Sequence, residues 1–235
     1  MKALDLFCGA GGVTEGLMRI GFDVVGVDVR AQPRYPGTFI EADVFDAAAA
    51  NLFDIHDFDF VWASPPCQAF SISTPPGLRD SHVNLIPQTR KLLAPHPYTA
   101  IENVPNSPVR ADFTITGPMV GLERIIRRRH IEVSWPTLTP APVYKSFQQK
   151  RDNSNIITIT KSLSTNTHFY KRKAQGLPGR VNPSEACEAM DITIPMTGRE
   201  VGEAIPPRYA IMVAESAIRH MKQNSTGVER IKAKS

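Results

Sequence analysis

Two hydrophobic periods alternate along this chain of 235 residues. Short apolar runs, bounded by glycine, proline or acidic residues, fall at 3–7, 22–27, 38–42, 58–63 and 98–101. Each has the length of a strand buried on both faces. Between them lie stretches with helical spacing. One covers 13–20 and ends at Gly21, which supplies a left-handed stop. The alanine run 47–50 fits a short helix, and another begins near Ile86, tolerates Pro87 in its first turn and runs to Leu93. Strands alternating with helices predict an α/β fold. Residues 71–82 are polar and contain Pro75-Pro76-Gly77, so they read as a mobile surface loop.

Beyond Ser134 the pattern breaks. Residues 135–142 hold three prolines and no helical period, 156–160 is a β-rich run, and 171–183 reads as loop. Helical signals return with Ser184 as a cap and a turn or two over 185–190. Pro206-Pro207 opens a final helix over 208–221, and the polar tail 223–235 is expected to fray.

Size allows one sizeable core plus a small insert. No apolar run is long enough to cross a bilayer, and the first residues lack the apolar core of a signal peptide, so a cytoplasmic protein without membrane contact is expected; a monomer is expected as well. Cys8, Cys67 and Cys187 are too far apart for a CxxC metal site or a disulfide framework, so no metal is expected. The net charge of +4 is unevenly placed. Residues 124–173 carry eleven cations against Glu132 and Asp152, so the rest of the chain is mildly acidic. Such a block points to a polyanion partner, although a solvated basic surface would look the same.

Candidate chemistry clusters at the ends of the expected strands. Pro65-Pro66-Cys67-Gln68 follows an apolar run. Two prolines cannot continue a central strand, so Cys67 sits on a rigid turn at a carboxyl edge, where open α/β sheets bind ligands. That is the layout of a nucleophile, or of a small buried thiol. The first strand enters a glycine turn at Gly9-Ala10-Gly11-Gly12, and Asp28 ends the second strand, placed to suit ribose hydroxyls. Thr14 stands where a nicotinamide fingerprint has its third glycine, so a nicotinamide oxidoreductase is a weaker reading that leaves Cys67 without a use. Asp43 ends the third strand and could accept from an adenine amino group or cap the next helix. Glu102 ends the fifth strand, as a site residue or a cap. Asn103 is expected to bond loop backbone, Cys8 and Cys187 to pack, and Arg127-Arg128-Arg129 to serve the site or to bind phosphate.

In order, the motifs are D-L-F-C-G-A-G-G at 5–12, P-P-C-Q at 65–68, E-N-V at 102–104, R-R-R-H-I-E at 127–132 and V-G-E-A-I-P-P at 201–207. The series resembles the DNA (cytosine-5) methyltransferases, which use S-adenosylmethionine. The resemblance covers 1–135 and 183–222. It implies a catalytic domain over those residues, a Rossmann-like methyltransferase sheet with helices on both faces, a small target-recognition-like insert over 136–182 of irregular or β structure, and a flexible tail over 223–235. It implies that Phe7, Gly9, Ala10, Gly11 and Gly12 hold the methionine part of the cofactor, that Asp28 takes the ribose with Val29 on the adenine, and that Asp43 and Val44 also bind adenine. Pro66 would line the pocket, Cys67 would be the nucleophile, Glu102 would bind the target ring, Arg129 would hold its carbonyl oxygen and Arg127 would support the site.

The chemistry needs these residue types. A thiolate adding to cytosine C6 makes C5 nucleophilic, and a carboxyl group and a guanidinium stabilise the charge pushed into the ring. A paired base must be flipped out to reach Cys67.

Two departures stand out. Glu203 replaces the asparagine usual after Gly202, and could attract the sulfonium or disturb the pocket. The insert is also short, which predicts a short or relaxed recognition sequence and salt-sensitive DNA binding. The same chemistry on RNA, or a non-enzymatic nucleic-acid-binding module with a decayed cofactor pocket, are the alternatives. A restriction-modification role is compatible with the resemblance.

Overall fold

A computed structural model describes residues 1–72, 74–137, 157, 159 and 181–232. Five parallel strands come first: β1 (Lys2–Leu6), β2 (Asp23–Asp28), β3 (Thr38–Glu41), β4 (Phe60–Ala63) and β5 (Thr99–Asn103). Two more, β6 (Phe113–Ile115) and β7 (Arg129–Val133), complete one sheet in the order β3-β2-β1-β4-β5-β7-β6. β7 runs antiparallel to both of its neighbours. The order reverses between β1 and β4, so a crevice opens beyond their carboxyl ends. This is the Rossmann-like α/β fold expected.

Alternation along the strands makes two cores. Ala3, Phe60, Trp62, Ala100 and Ile131 face one side. There they meet α1 (Gly12–Arg19), α5 (Pro183–Met190), α6 (Gly198–Glu203) and α7 (Pro207–Lys232). Leu4, Leu6, Val61, Ala63 and Ile101 face the other side, with α2 (Val44–Ala49) and α4 (Ile86–Leu93). Period-two geometry then fixes the polar positions as well. Asp5 pairs in register with Trp62, and Glu102 with Ile131, so both acids point to the side covered by α1 and α7.

Glycine lets α1 approach the C-terminal return. A Cβ on Gly12 would lie 2.3 Å from the Ile205 carbonyl oxygen, and one on Gly16 would lie 2.3 Å from that of Pro207. Both neighbours are backbone and cannot move aside.

Several elements differ from the sequence expectation. Asn182, not Ser184, caps α5, accepting from the Glu185 amide at 2.7 Å, because Pro183 takes the first helical position. The 71–82 loop contains a short helix, α3 (Pro76–Arg79). α7 continues to Lys232 rather than Met221, and its side chains from Lys222 to Thr226 are exposed. β6, β7 and α6 were not apparent from periodicity. Most of the expected insert, with Lys145, Lys150, Arg151, Lys161, Lys171, Arg172 and Lys173, lies outside the described residues. No helix among the described residues is long and apolar enough to cross a membrane.

Candidate active site

The crevice is a cleft of about 1320 Å³. Its first wall is the turn after β1. Phe7 and Gly9 both take left-handed backbone (φ 58° and 51°), which folds the chain sharply at the strand end. The Gly9 amide donates to Asp28 Oδ2 at 2.9 Å, and the Arg30 amide donates to Oδ1 at 3.0 Å, so the buried Asp28 carboxylate is fixed at the end of β2. Val29 is exposed beside it. Asp43 caps α2, accepting from the Phe45 amide at 2.8 Å.

Beneath the turn lies a buried polar chain. The Thr14 hydroxyl donates to Asp5 Oδ2 at 2.7 Å and is hydrogen-bonded to the Tyr35 hydroxyl, which in turn meets the Cys8 thiol. The hydroxyl gives Thr14, where a nicotinamide fingerprint would have a glycine, a structural use. Burial raises the Asp5 carboxyl to about 7; Thr14 offsets part of that, and the charge of Asp28 adds to it. Burial also pushes up the Cys8 thiol and the Tyr35 phenol. Asp5 Oδ1 is buried without a hydrogen-bond partner. A tyrosine can enter here because Gly26 has no side chain; a Cβ there would lie 2.1 Å from the Tyr35 oxygen.

The opposite wall carries the cysteine. Cys67 is half-buried, on a turn closed by its carbonyl accepting from the Ser71 amide at 2.9 Å. Asn103 Nδ2 donates to the Pro65 carbonyl at 2.9 Å and so braces this turn from the end of β5, the structural role expected. Glu102 is buried and pairs with Arg129 Nε at 2.7 Å. The two meet because Arg129 lies two residues before Ile131, the register partner of Glu102, which makes them diagonal neighbours on one face. Burial raises the Glu102 carboxyl above its ordinary range, with Arg129 the main opposing influence.

Arg127 takes a left-handed backbone (φ 28°), and its guanidinium donates to the carbonyls of Gly202 (2.8 Å) and Ile159 (3.2 Å), and to that of Ala204 at 2.6 Å. The Tyr209 hydroxyl donates to the Arg127 carbonyl at 2.9 Å. These contacts hold a strained conformation in place. Burial, with Arg129 adding to it, lowers the Arg127 pKa to about 9, which still leaves it charged at neutral pH.

All the expected site residues except Gly11 line this one cleft. Gly11 lies instead against the Pro36 ring and supplies the turn geometry. Glu203 reaches the cleft from α6 and pairs with Arg30. The basic block behaves unlike a phosphate patch over its described part. Arg124 pairs with Glu185 at 2.9 Å and Arg129 with Glu102, while Arg127 turns inward; Arg128 is exposed. Sequence reasoning missed Asp5, Arg30 and Tyr35, and also Ser64, which lines the cleft and hydrogen-bonds the Glu102 carboxyl group. Asp5 carried a signal, an acid inside a run that has to be buried; Arg30 and Tyr35 carried none.

The arrangement brings together a thiol, a buried carboxyl group and a guanidinium opposite a glycine turn with a fixed acid. Residues 1–107 match the C-5 cytosine-specific DNA methylase family. Two Type II methyltransferases of Herpetosiphon aurantiacus, M.HgiDI and M.HgiGI, are 35% and 34% identical to it over 79 residues. That stretch is 30% of this chain, but only 26% of the first relative and 63% of the second. A prophage-encoded E. coli protein described as a DNA modification methyltransferase shares the fold. Its TM-score is 0.61 at 15% identity, over 94% of this chain and 99% of that one. The matched residues include both the glycine turn and the cysteine turn, whereas Arg127, Arg129 and Glu203 fall outside them.

Proposed function

We propose that this chain methylates C5 of cytosine in DNA, with S-adenosylmethionine as donor and Cys67 as a transient covalent catalyst. The observation that carries this reading is the meeting of Cys67, Glu102 and Arg129 in one cleft, opposite the Phe7–Gly12 turn and Asp28. The turn fits an adenosyl ligand. A Cβ on Gly9 would meet nothing within 4 Å, so the backbone there stands open to the cleft, and the Asp28 carboxylate is held ready for a diol. Bound S-adenosylmethionine would supply an electrophilic methyl group.

The chain's own residues do the rest. The Cys67 thiolate adds to C6 of a flipped cytosine, favoured by the Arg127 and Arg129 guanidinium groups nearby. Electron density moves toward N3 and O2. Glu102, its pKa raised by burial, holds the proton at N3, and Arg129 meets O2. C5 then takes the methyl group, for which the neutral thioether would be the leaving group; N3 returns its proton to Glu102, C5 loses its proton to solvent, and the C6–S bond breaks, returning the thiolate.

The test is trapping on duplex DNA containing 5-fluorocytosine, in which the C5 substituent cannot leave as a proton. Wild-type protein should form a denaturation-resistant adduct, and Cys67→Ser should form none. Equal yields from the two would remove the nucleophile assignment. RNA of the same sequence in parallel separates DNA from RNA as substrate.

A further inference from the structure

The charges at one end of the cleft form a designed-looking square of acids and bases. Arg30 Nη2 lies 2.9 Å from Glu203 Oε2, and Arg30 Nε lies 3.8 Å from Asp28 Oδ1. Arg199 Nε lies 3.7 Å from Glu203 Oε1. All four residues line the cleft. They join two segments distant in sequence, the connection after β2 and helix α6. A second pair, Arg34 with Glu200 at 2.6 Å, ties the same two segments, and Arg34 Nε also donates to the Pro195 carbonyl at 2.8 Å. Two acids and two bases make this end of the cleft neutral. Without the Glu203 charge it would carry a net positive charge.

We propose that the Arg30–Glu203 pair sets the charge selectivity of the cofactor site. Glu203 cancels Arg30, so a ligand with net positive charge, an adenosyl sulfonium, is admitted as readily as its neutral thioether product. This inference rests on the cofactor reading proposed above. The pair is partly exposed, so its influence is moderate and is screened by salt.

The experiment is calorimetric binding of S-adenosylmethionine and S-adenosylhomocysteine at low salt. The proteins compared are wild type, Glu203→Gln, Arg30→Gln and the double variant. The first ligand carries one more positive charge than the second, so the ratio of the two dissociation constants reports the local field. Glu203→Gln should weaken S-adenosylmethionine binding by about fivefold and leave S-adenosylhomocysteine within about twofold. Arg30→Gln should shift the ratio in the opposite direction, and the double variant should return it to the wild-type value. In ~0.5 M salt the differences should collapse. Equal weakening of both ligands by Glu203→Gln would mean a packing role and overturn the proposal. So would an unchanged ratio, or a double variant that behaves like Glu203→Gln. Wild-type protein that binds neither ligand would overturn the cofactor reading itself, a result distinct from any change of ratio among variants.

Discussion

The two walls of the cleft are built by different means. The hydrogen bonds that fix the glycine turn itself join partners close in sequence: Gly9 with Asp28, 19 residues apart, and Thr14 with Asp5, 9 apart. The cysteine wall depends on distant ones: Asn103 with Pro65, 38 apart, and Arg127 with Gly202 and Ala204, 75 and 77 apart. The first wall is shaped by backbone and is intolerant of added volume. The second is shaped by charge and should be intolerant of altered protonation. Separate substitutions can therefore damage chemistry without folding, or folding without chemistry.

The largest expected effect is on the cysteine wall. Glu102→Gln keeps the shape but leaves an amide that cannot hand over a proton. Methyl transfer should fall by about 10²–10⁴-fold, the usual range for a lost general acid. S-adenosylmethionine binding, measured by calorimetry, should stay within about twofold of wild type, because the Asp28 wall is untouched. Loss of binding in step with loss of turnover would show that the walls are not independent.

The same contrast explains what could be read from the chain. The glycine turn, Asp28 and the turn at Cys67 were legible because each is punctuation at the end of an apolar run. α4 was placed from Ile86 to Leu93, as observed, because Pro87 and the apolar spacing agree. β7 was missed because its residues, Arg129–Val133, begin with two basic side chains and alternate weakly. A role for Arg129 on the target base was therefore expected from resemblance alone, and its pairing with Glu102 follows only once β7 is laid antiparallel on β5. Glu203 stood out as a departure from the family's asparagine, but its partner did not, since nothing in its own segment marks Arg30. The cap of α5 was misplaced because Pro183 moves the helix start ahead of Ser184.

A second, smaller effect belongs to the other wall. Gly16→Ala puts a Cβ 2.3 Å from the Pro207 carbonyl oxygen, where α1 crosses the start of α7. The helices must separate, at a cost of about 3 kcal/mol, toward the upper end for overpacking. Chemical denaturation should show a lower midpoint with an unchanged slope. The part of the protein that remains folded should still form the Cys67 adduct with 5-fluorocytosine DNA. An unchanged midpoint would mean that the contact between α1 and the C-terminal return is looser than the structure indicates.

The smallest expected effect concerns the buried polar chain under the turn. The Asp5 carboxyl is raised from 3.8 to about 7 in the folded protein. A raised carboxyl pKa means that the folded state binds more protons than the unfolded one between those two values. Its stabilising contribution is therefore complete below pH 4 and is lost as pH rises through about 7. Across pH 5 to 8 the loss is on the order of 2 kcal/mol. Asp5→Asn does not titrate, so its stability should fall less over that range, even if the amide is less stable at pH 5 because its nitrogen replaces an oxygen that has no partner. Glu102 is also raised and titrates in both proteins, so the difference between the two curves isolates Asp5. Unfolding free energies at pH 5, 6, 7 and 8 provide the check. Parallel curves would show that Asp5 is already ionised at pH 5, and the glycine-turn wall would then be as dependent on charge as the wall that faces it.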